Sequence, residues 1–261
     1  METVAFGETT TLLEIASIHG QRDSSENGPQ RSSSPKPILA TCNTCLLQKV
    51  CPLTSTSHIG TPLNEAIYEP DSIAFTENDH FDKIYVLKSG SIQISVTNPK
   101  GEQSILGFVF PGEMVGWESW KFSRFPYTIK MLERSRLCTL EKKNLLHSMR
   151  ISPDFQVQLL RAAGQQVMRD RLSPLAMLHG SIEAKTAAFI LDIYTRNHVN
   201  KHIAPDFILS MPRNSISSYI GITPESLSRS LSSLRKKGAI SVFNRRISVL
   251  DKKLLHTLAI D

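Results

Sequence analysis

The hydrophobic period of this chain changes once, near residue 150, and that change decides what it can fold into. Before it, short apolar runs alternate with turn residues: Ile84-Tyr85-Val86-Leu87, Lys88-Ser89-Gly90, Ile92 to Val96, Asn98-Pro99-Lys100-Gly101, and Ile105 to Phe110. After Pro111-Gly112 the pattern resumes at Tyr127 to Leu132 and Leu137 to Leu140. Short strands punctuated by Gly and Pro predict a small antiparallel barrel or roll. Beyond them the period becomes helical. Ser152-Pro153-Asp154 pairs a capping serine with a proline in the first turn, which predicts a helix from there to about Leu178. Leu160, Ala163, Gly164, Val167, Met168, Arg171, Leu175 and Leu178 fall near one stripe of it. Ala163-Gly164 would admit a close partner backbone, and Pro174 is expected to bend the helix. Such a stripe packs on the roll or, leaving it, against a second copy as a dimer seam. A second amphipathic helix, Glu183 to Arg196, and a polar connector, Asn197 to Asp206, follow.

At 261 residues the chain can bury two separate cores. With 40% hydrophobic and 21% charged residues it reads as a globular protein. No stretch approaches the roughly 18 apolar residues of a membrane helix. Met1 to Gly20 lacks the basic lead and apolar block of a secretion signal, so a cytoplasmic location is expected. Gln21 to Pro37 is Ser/Pro/Gly-rich and predicts disorder. The charge is unevenly placed. From Glu141 onward there are 18 Lys/Arg against 9 Asp/Glu, whereas the preceding part holds 12 against 15. A basic C-terminal half suits a phosphate-bearing partner, although solvated basic faces are common.

The segment Met211 to Gly238 narrows that partner to DNA. Ile216 and Ile220 give a short helix with one apolar face, and Gly221 supplies a tight turn. Thr223 caps a second helix with Pro224 at its first position. Leu227, Leu231 and Leu234 face a core, while Glu225, Ser228 and Arg229 share the opposite face at the N-terminal end. That end of a recognition helix meets base edges, where arginine pairs with guanine and glutamate accepts from cytosine. Gly238 stops the helix. Ala239 to Val242, Asn244-Arg245 and Arg246 to Leu250 then form a hairpin whose Arg245 and Arg246 are expected near phosphates. The plainer alternative is a helical hairpin with a solvated Glu225–Arg229 pair.

This segment resembles the DNA-binding domain of the cyclic-AMP receptor protein and FNR superfamily, and its Glu225-x-x-Ser228-Arg229 resembles the FNR branch. The resemblance extends over roughly Cys42 to Leu250. It implies a fold of the α+β class. An N-terminal cyclic-nucleotide-binding-like β-roll would be followed by a long dimerisation helix and a C-terminal winged helix-turn-helix. The corresponding division is a disordered tail (1–40), a cysteine segment plus β-roll sensor (41–150), a dimerisation helix (151–180) and a DNA-binding domain (181–261). Pro224 stands where the cyclic-AMP receptor carries an arginine. With Ser228 this implies a palindrome like TTGATnnnnATCAA on double-stranded DNA. A homodimer and RNA polymerase are the implied protein partners, and no membrane.

The superfamily binds cyclic nucleotide through turn glycines and a later Arg-Ser/Thr. Gly112-Glu113 and Gly116 are present, but Pro126-Tyr127 stands where the pair is expected, and a buried phosphate without its arginine is costly. Cyclic nucleotide is therefore not an expected ligand, and the glycines are read as roll turns only. The four cysteines point elsewhere. Cys42, Cys45 and Cys51 have the spacing C-x2-C-x5-C, and Cys138 lies in a later strand. The arrangement resembles that of FNR-type oxygen sensors, which implies a 4Fe-4S cluster on these four thiolates. A zinc site usually has two C-x2-C arms, and a thiol–disulfide switch is a further alternative. His147, His179, His198 and His202 are scattered, and no catalytic constellation emerges, so enzymatic activity is not expected. The remaining alternatives are a haem-based nitric-oxide regulator of the same superfamily and a cluster-bearing electron-transfer protein.

Overall fold

The computed structural model describes residues 64–178, 180–197 and 206–260. The expected tail, the segment with Cys42, Cys45 and Cys51, and most of the polar connector lie outside these residues. The first unit is an antiparallel β-roll. Its strands are β1 (Asn64–Tyr68), β2 (Ile73–Phe75), β3 (Lys83–Ser89), β4 (Ile92–Thr97), β5 (Gln103–Val109), β6 (Met114–Val115), β7 (Thr128–Met131) and β8 (Ser135–Glu141). They pair as two four-stranded sheets, β1-β8-β3-β6 and β2-β7-β4-β5. Tyr85 and Leu87 from the first share one core with Phe75, Ile92, Ile129 and Met131 from the second. Phe75 stacks on Phe125 with ring centroids 3.7 Å apart. The alternating runs anticipated β3, β4, β5, β7 and β8. The short β2 and β6 carry too few residues for a period to show, and the Asn-Glu-Ala-Ile-Tyr run of β1 does not alternate.

The helices begin earlier than the Ser152 signal suggests. Helix α1 (Lys142–Ile151) leaves β8 directly, and α2 (Pro153–Leu178) follows after the one-residue break at Ser152. Ser152 does cap α2, accepting from the Phe155 N–H at 3.2 Å. The second helix continues through Pro174 as one element. It divides its surface between two uses. Phe155, Ala162 and Gln166 are buried on the roll. Val157, Leu160, Gly164, Met168 and Arg171 are exposed, Leu160 at 70% and Met168 at 56%. The expected stripe is thus the outward face of the helix in its described part.

The second unit comprises α3 (Ile182–Asn197), β9 (Asp206–Ile208), α4 (Arg213–Ile220), α5 (Pro224–Lys236), β10 (Ile240–Phe243), β11 (Arg246–Val249) and α6 (Lys252–Leu258). Its three strands are ordered β10-β11-β9. Strand β9 and helix α6 were not anticipated. The short run Phe207-Ile208-Leu209 was the available signal for β9. Ile216, Ile220, Leu227, Leu231, Leu234, Ile240 and Ile247 fill the core, and Phe108 and Phe110 of the roll join it. No helix among the described residues is long and apolar enough to cross a membrane.

The β3–β4 turn requires glycine. Gly90 has φ +95°, and a Cβ there would lie 2.2 Å from Ser135 Oγ and 2.8 Å from Ser135 Cα. Gly90→Ala is therefore expected to cost about 2–4 kcal/mol through the strained turn and the collision. Equilibrium urea unfolding would show it as a lowered midpoint at unchanged slope.

Candidate nucleic-acid interface and sensor strand

The helix-turn-helix is built by local chemistry. Gly221 ends α4 in the left-handed region at φ 70°, a conformation that non-glycine residues adopt only with strain. Thr223 then caps α5, its hydroxyl oxygen accepting from the Ser226 N–H at 3.2 Å, with Pro224 at the first helical position. Leu227, Leu231 and Leu234 point into the core. Glu225, Ser228 and Arg229 are exposed together at the N-terminal end of α5. Ser228 donates to the Pro224 carbonyl at 3.0 Å, which keeps its hydroxyl on the helix. Among the described residues no ion pair joins Glu225 to Arg229. Arg229 has only a long contact to Ser226 Oγ, 3.4 Å, so the recognition face is open rather than closed by its own charges.

The wing arginines are exposed but engaged. The two-residue turn Asn244-Arg245 joins β10 to β11, with Asn244 at φ 56°. Arg245 Nε donates to the Leu209 carbonyl at 2.8 Å, and its Nη2 donates to that of Ser210. Arg246 Nη1 pairs with Asp206 Oδ2 at 2.5 Å. Asp206 belongs to β9, which is why its partnership with Arg246 was not legible while that stretch was read as a connector. One residue was missed altogether. Arg213 opens α4 half-buried, and its Nη1 has no hydrogen-bond partner. Burial and then the neighbouring Arg245 guanidinium pull it below the usual arginine value. An arginine at a helix start faces the positive end of the dipole, an arrangement that an anion such as phosphate relieves.

In the roll, the turn that follows Gly112 is closed from within. Tyr127 Oη accepts the Gly116 N–H at 2.8 Å and donates to Glu118 Oε2 at 2.7 Å. Burial raises the Glu118 carboxyl above its ordinary value, and burial followed by Glu118 itself raises the Tyr127 hydroxyl. A cavity of about 170 Å³ beside this turn is lined by Glu113, Glu118, Asp170, Arg196 and Tyr219. Cys138 sits in β8, opposite Glu65 of β1 on one side and Val86 of β3 on the other. It is 8% exposed. Across the same sheet a buried ion pair joins Lys88 to Glu65, with side chains 4% and 19% exposed. The other three cysteines lie outside the described residues.

Residues 65–151 match the family model of the cyclic nucleotide-binding domain, and residues 184–258 that of the Crp-like helix-turn-helix domain. The chain is 27% identical over 225 residues to the fumarate nitrate reduction regulatory protein of Klebsiella oxytoca, spanning 84% of this chain and 90% of that one. It belongs to the CRP/FNR family of transcription regulators. The anaerobic regulatory protein of Pasteurella multocida is 27% identical over 224 residues, 84% of this chain and 82% of that one. In fold it is similar to FixK2 from Bradyrhizobium japonicum, with a TM-score of 0.67 and 21% identity over 76% of this chain and 97% of that one. As a member of the CRP/FNR family this chain is a DNA-binding transcription regulator, and α4 and α5 are its Crp-like helix-turn-helix.

The cap of α5 carries a direct expectation. Thr223→Ala removes the acceptor for the Ser226 N–H and should cost about 1 kcal/mol. Thermal unfolding followed by circular dichroism would register it, and Thr223→Ser should restore most of the loss.

Proposed function

We propose that this regulator reads a TTGAT-like palindrome as a homodimer, under the control of an oxygen-labile 4Fe-4S cluster on Cys42, Cys45, Cys51 and Cys138. The observation that carries it is the position of Cys138. Its sulfur-bearing strand lies beside β1, the first described strand, at Glu65. Between Cys51 and Asn64 the chain has ample length to return to that strand, at up to about 3.3–3.6 Å per residue. Thiolates are the donors that iron–sulfur clusters take, and the four cysteines are the whole complement of the chain. When bound, the cluster supplies redox chemistry that oxygen can reach. The Pasteurella relative is named an anaerobic regulatory protein, which agrees with this signal.

On the DNA side, Glu225, Ser228 and Arg229 read bases, while Arg213, Arg245 and Arg246 present cations towards the backbone. Residues 41–150 act as the sensor, 151–180 as the dimerisation helix and 181–261 as the DNA-binding domain. The exposed apolar face of α2, Leu160 to Met168, is the dimer seam. Cyclic nucleotide is not the effector. An anion entering beside Tyr127 would meet Glu113, Glu118 and Asp170, and the one guanidinium there, that of Arg196, is already held by Glu113. RNA polymerase is the expected partner at the promoter, and the cytoplasm the expected location.

Two experiments test these assignments. Protein isolated under nitrogen should contain four irons and four acid-labile sulfides per subunit, and Cys138→Ala should lose the brown chromophore. Stoichiometric zinc without sulfide would overturn the cluster. Arg229→Ala should weaken binding by about 1–3 kcal/mol and relax selectivity at the half-site guanine. Equal loss on random and palindromic duplexes would remove α5 from base reading.

A further inference from the structure

The Glu113 carboxylate lies where three parts of the chain meet. It is 5% exposed. Arg196, near the end of α3, meets it in a bidentate fork: Nε donates to Oε1 at 2.9 Å and Nη2 to Oε2 at 2.6 Å. The same Nη2 donates to the Phe108 carbonyl of β5 at 2.6 Å, and Nη1 reaches Asp192 at 3.2 Å. The guanidinium also lies 4.6 Å from the Phe110 ring centroid. Arg169 of α2 pairs with Oε1 as well, the oxygen that also accepts from Arg196 Nε. Gln166, one helical turn earlier, brackets Met114 by accepting its N–H at 3.0 Å and donating to its carbonyl at 2.6 Å.

Burial alone would raise the Glu113 carboxyl, but the Arg196 charge and its hydrogen bonds, followed by Arg169, hold it below the ordinary value. It is an ionised clamp. Around it, Phe108 packs edge-on to Tyr219 of α4 at 5.3 Å, and Ser91 hydrogen-bonds Ser210 at 2.5 Å. The winged helix is thereby seated on the roll in one orientation.

We propose that the Glu113–Arg196 clamp is a specificity determinant of DNA binding: it fixes the half-site spacing that the dimer accepts. The proposal rests on the reading of α2 as a dimer seam. Recognition helices in a two-fold dimer must match half-sites about one DNA turn apart. Their separation follows from the seam and from the seating of each winged helix on its roll. Buried ion pairs contribute little net stability, because desolvation offsets attraction, but an orphaned partner is costly. A bidentate fork also fixes direction as well as distance. The clamp is therefore expected to govern geometry more than folding.

The test uses full-length protein prepared under nitrogen, with the double variant Glu113→Gln/Arg196→Met, which removes both charges of the fork and takes one partner each from Arg169 and Asp192, of opposite sign. The probes are TTGATnnnnATCAA duplexes whose spacer is shortened or lengthened by one or two base pairs, each about 3.4 Å and about 34° of rotation. Wild-type protein should lose at least about tenfold in affinity for a two-base-pair change, and the double variant less than about threefold, with single half-site binding unchanged. Arg196→Lys keeps the charge but loses the fork, and should fall between them. Equal spacer discrimination by wild type and both variants overturns the proposal. A wild-type protein that ignores spacing and sediments as a monomer on DNA instead overturns the dimer reading, and the clamp proposal with it.

Discussion

A carboxylate with almost no contact with water must be neutralised where it sits, and Glu113 is neutralised by two arginines from different helices. That requirement ties the roll to α2 through Arg169 and to the winged helix through Arg196. The apolar contacts then have a fixed geometry in which to form. Phe108 and Phe110 leave β5 and enter the core of the second unit, where they meet Phe189 and Tyr219. Neither unit closes its core alone at this seam. A charge left unpaired here would cost more than the pair contributes, so the pairing constrains how the two units meet.

Much of the fold is legible in the sequence because the apolar residues keep a period wherever an element is long enough. Ile84 to Leu87 and Ile92 to Val96 announce strands, and Leu227, Leu231 and Leu234 announce α5. Two-residue or three-residue strands such as β6 and β9 have no period to read, and they draw their partners from distant sequence. The recognition face was legible for a different reason: Thr223, Pro224 and Gly221 are local signals, and they place Glu225, Ser228 and Arg229 by helical spacing alone. Asp206 beside Arg246 and Glu113 beneath Arg196 were not legible, since a pair separated by 40 or 83 positions leaves no trace in spacing. Gly112-Glu113 looked like turn chemistry because turn chemistry is what it shares with any roll.

The same turn carries the proposal that this cyclic-nucleotide-binding-like roll works without a cyclic nucleotide. Where a phosphate would demand a cation, Tyr127 accepts the Gly116 N–H itself and donates its O–H to Glu118. Trp117 Nε1 and Ser119 Oγ stay buried in the same turn without a hydrogen-bond partner among the described residues, while the carboxyl groups around the cavity oppose the negative charge that such a ligand would bring. On that proposal the roll serves as a scaffold for strands.

Those strands connect the proposed cluster ligand to the clamp by a single row of the sheet. Glu65 lies opposite Cys138, Cys138 opposite Val86, and Val86 opposite Met114, across β1, β8, β3 and β6. Met114 is the neighbour of Glu113 and is bracketed by Gln166 of α2. Met114 gives its own N–H and carbonyl to Gln166, so a shift of β8 at Cys138 would reach β6 through the flanking Leu87 N–H to Glu113 carbonyl bond, 2.9 Å, rather than through the Val86–Met114 pair itself. Carried to β6, it arrives at both groups that matter for output: the helix bearing the exposed apolar face, and the carboxylate that seats the winged helix. Contiguity by itself is not coupling, which needs two arrangements of the clamp with different energies in the loaded and unloaded sensor. The arginine fork is suited to that role, because its two hydrogen bonds are satisfied together in one geometry and lost together in others. A change at the cysteines need not therefore unfold anything. The geometry on which such a change would act is the fork itself, which seats the winged helix on the roll.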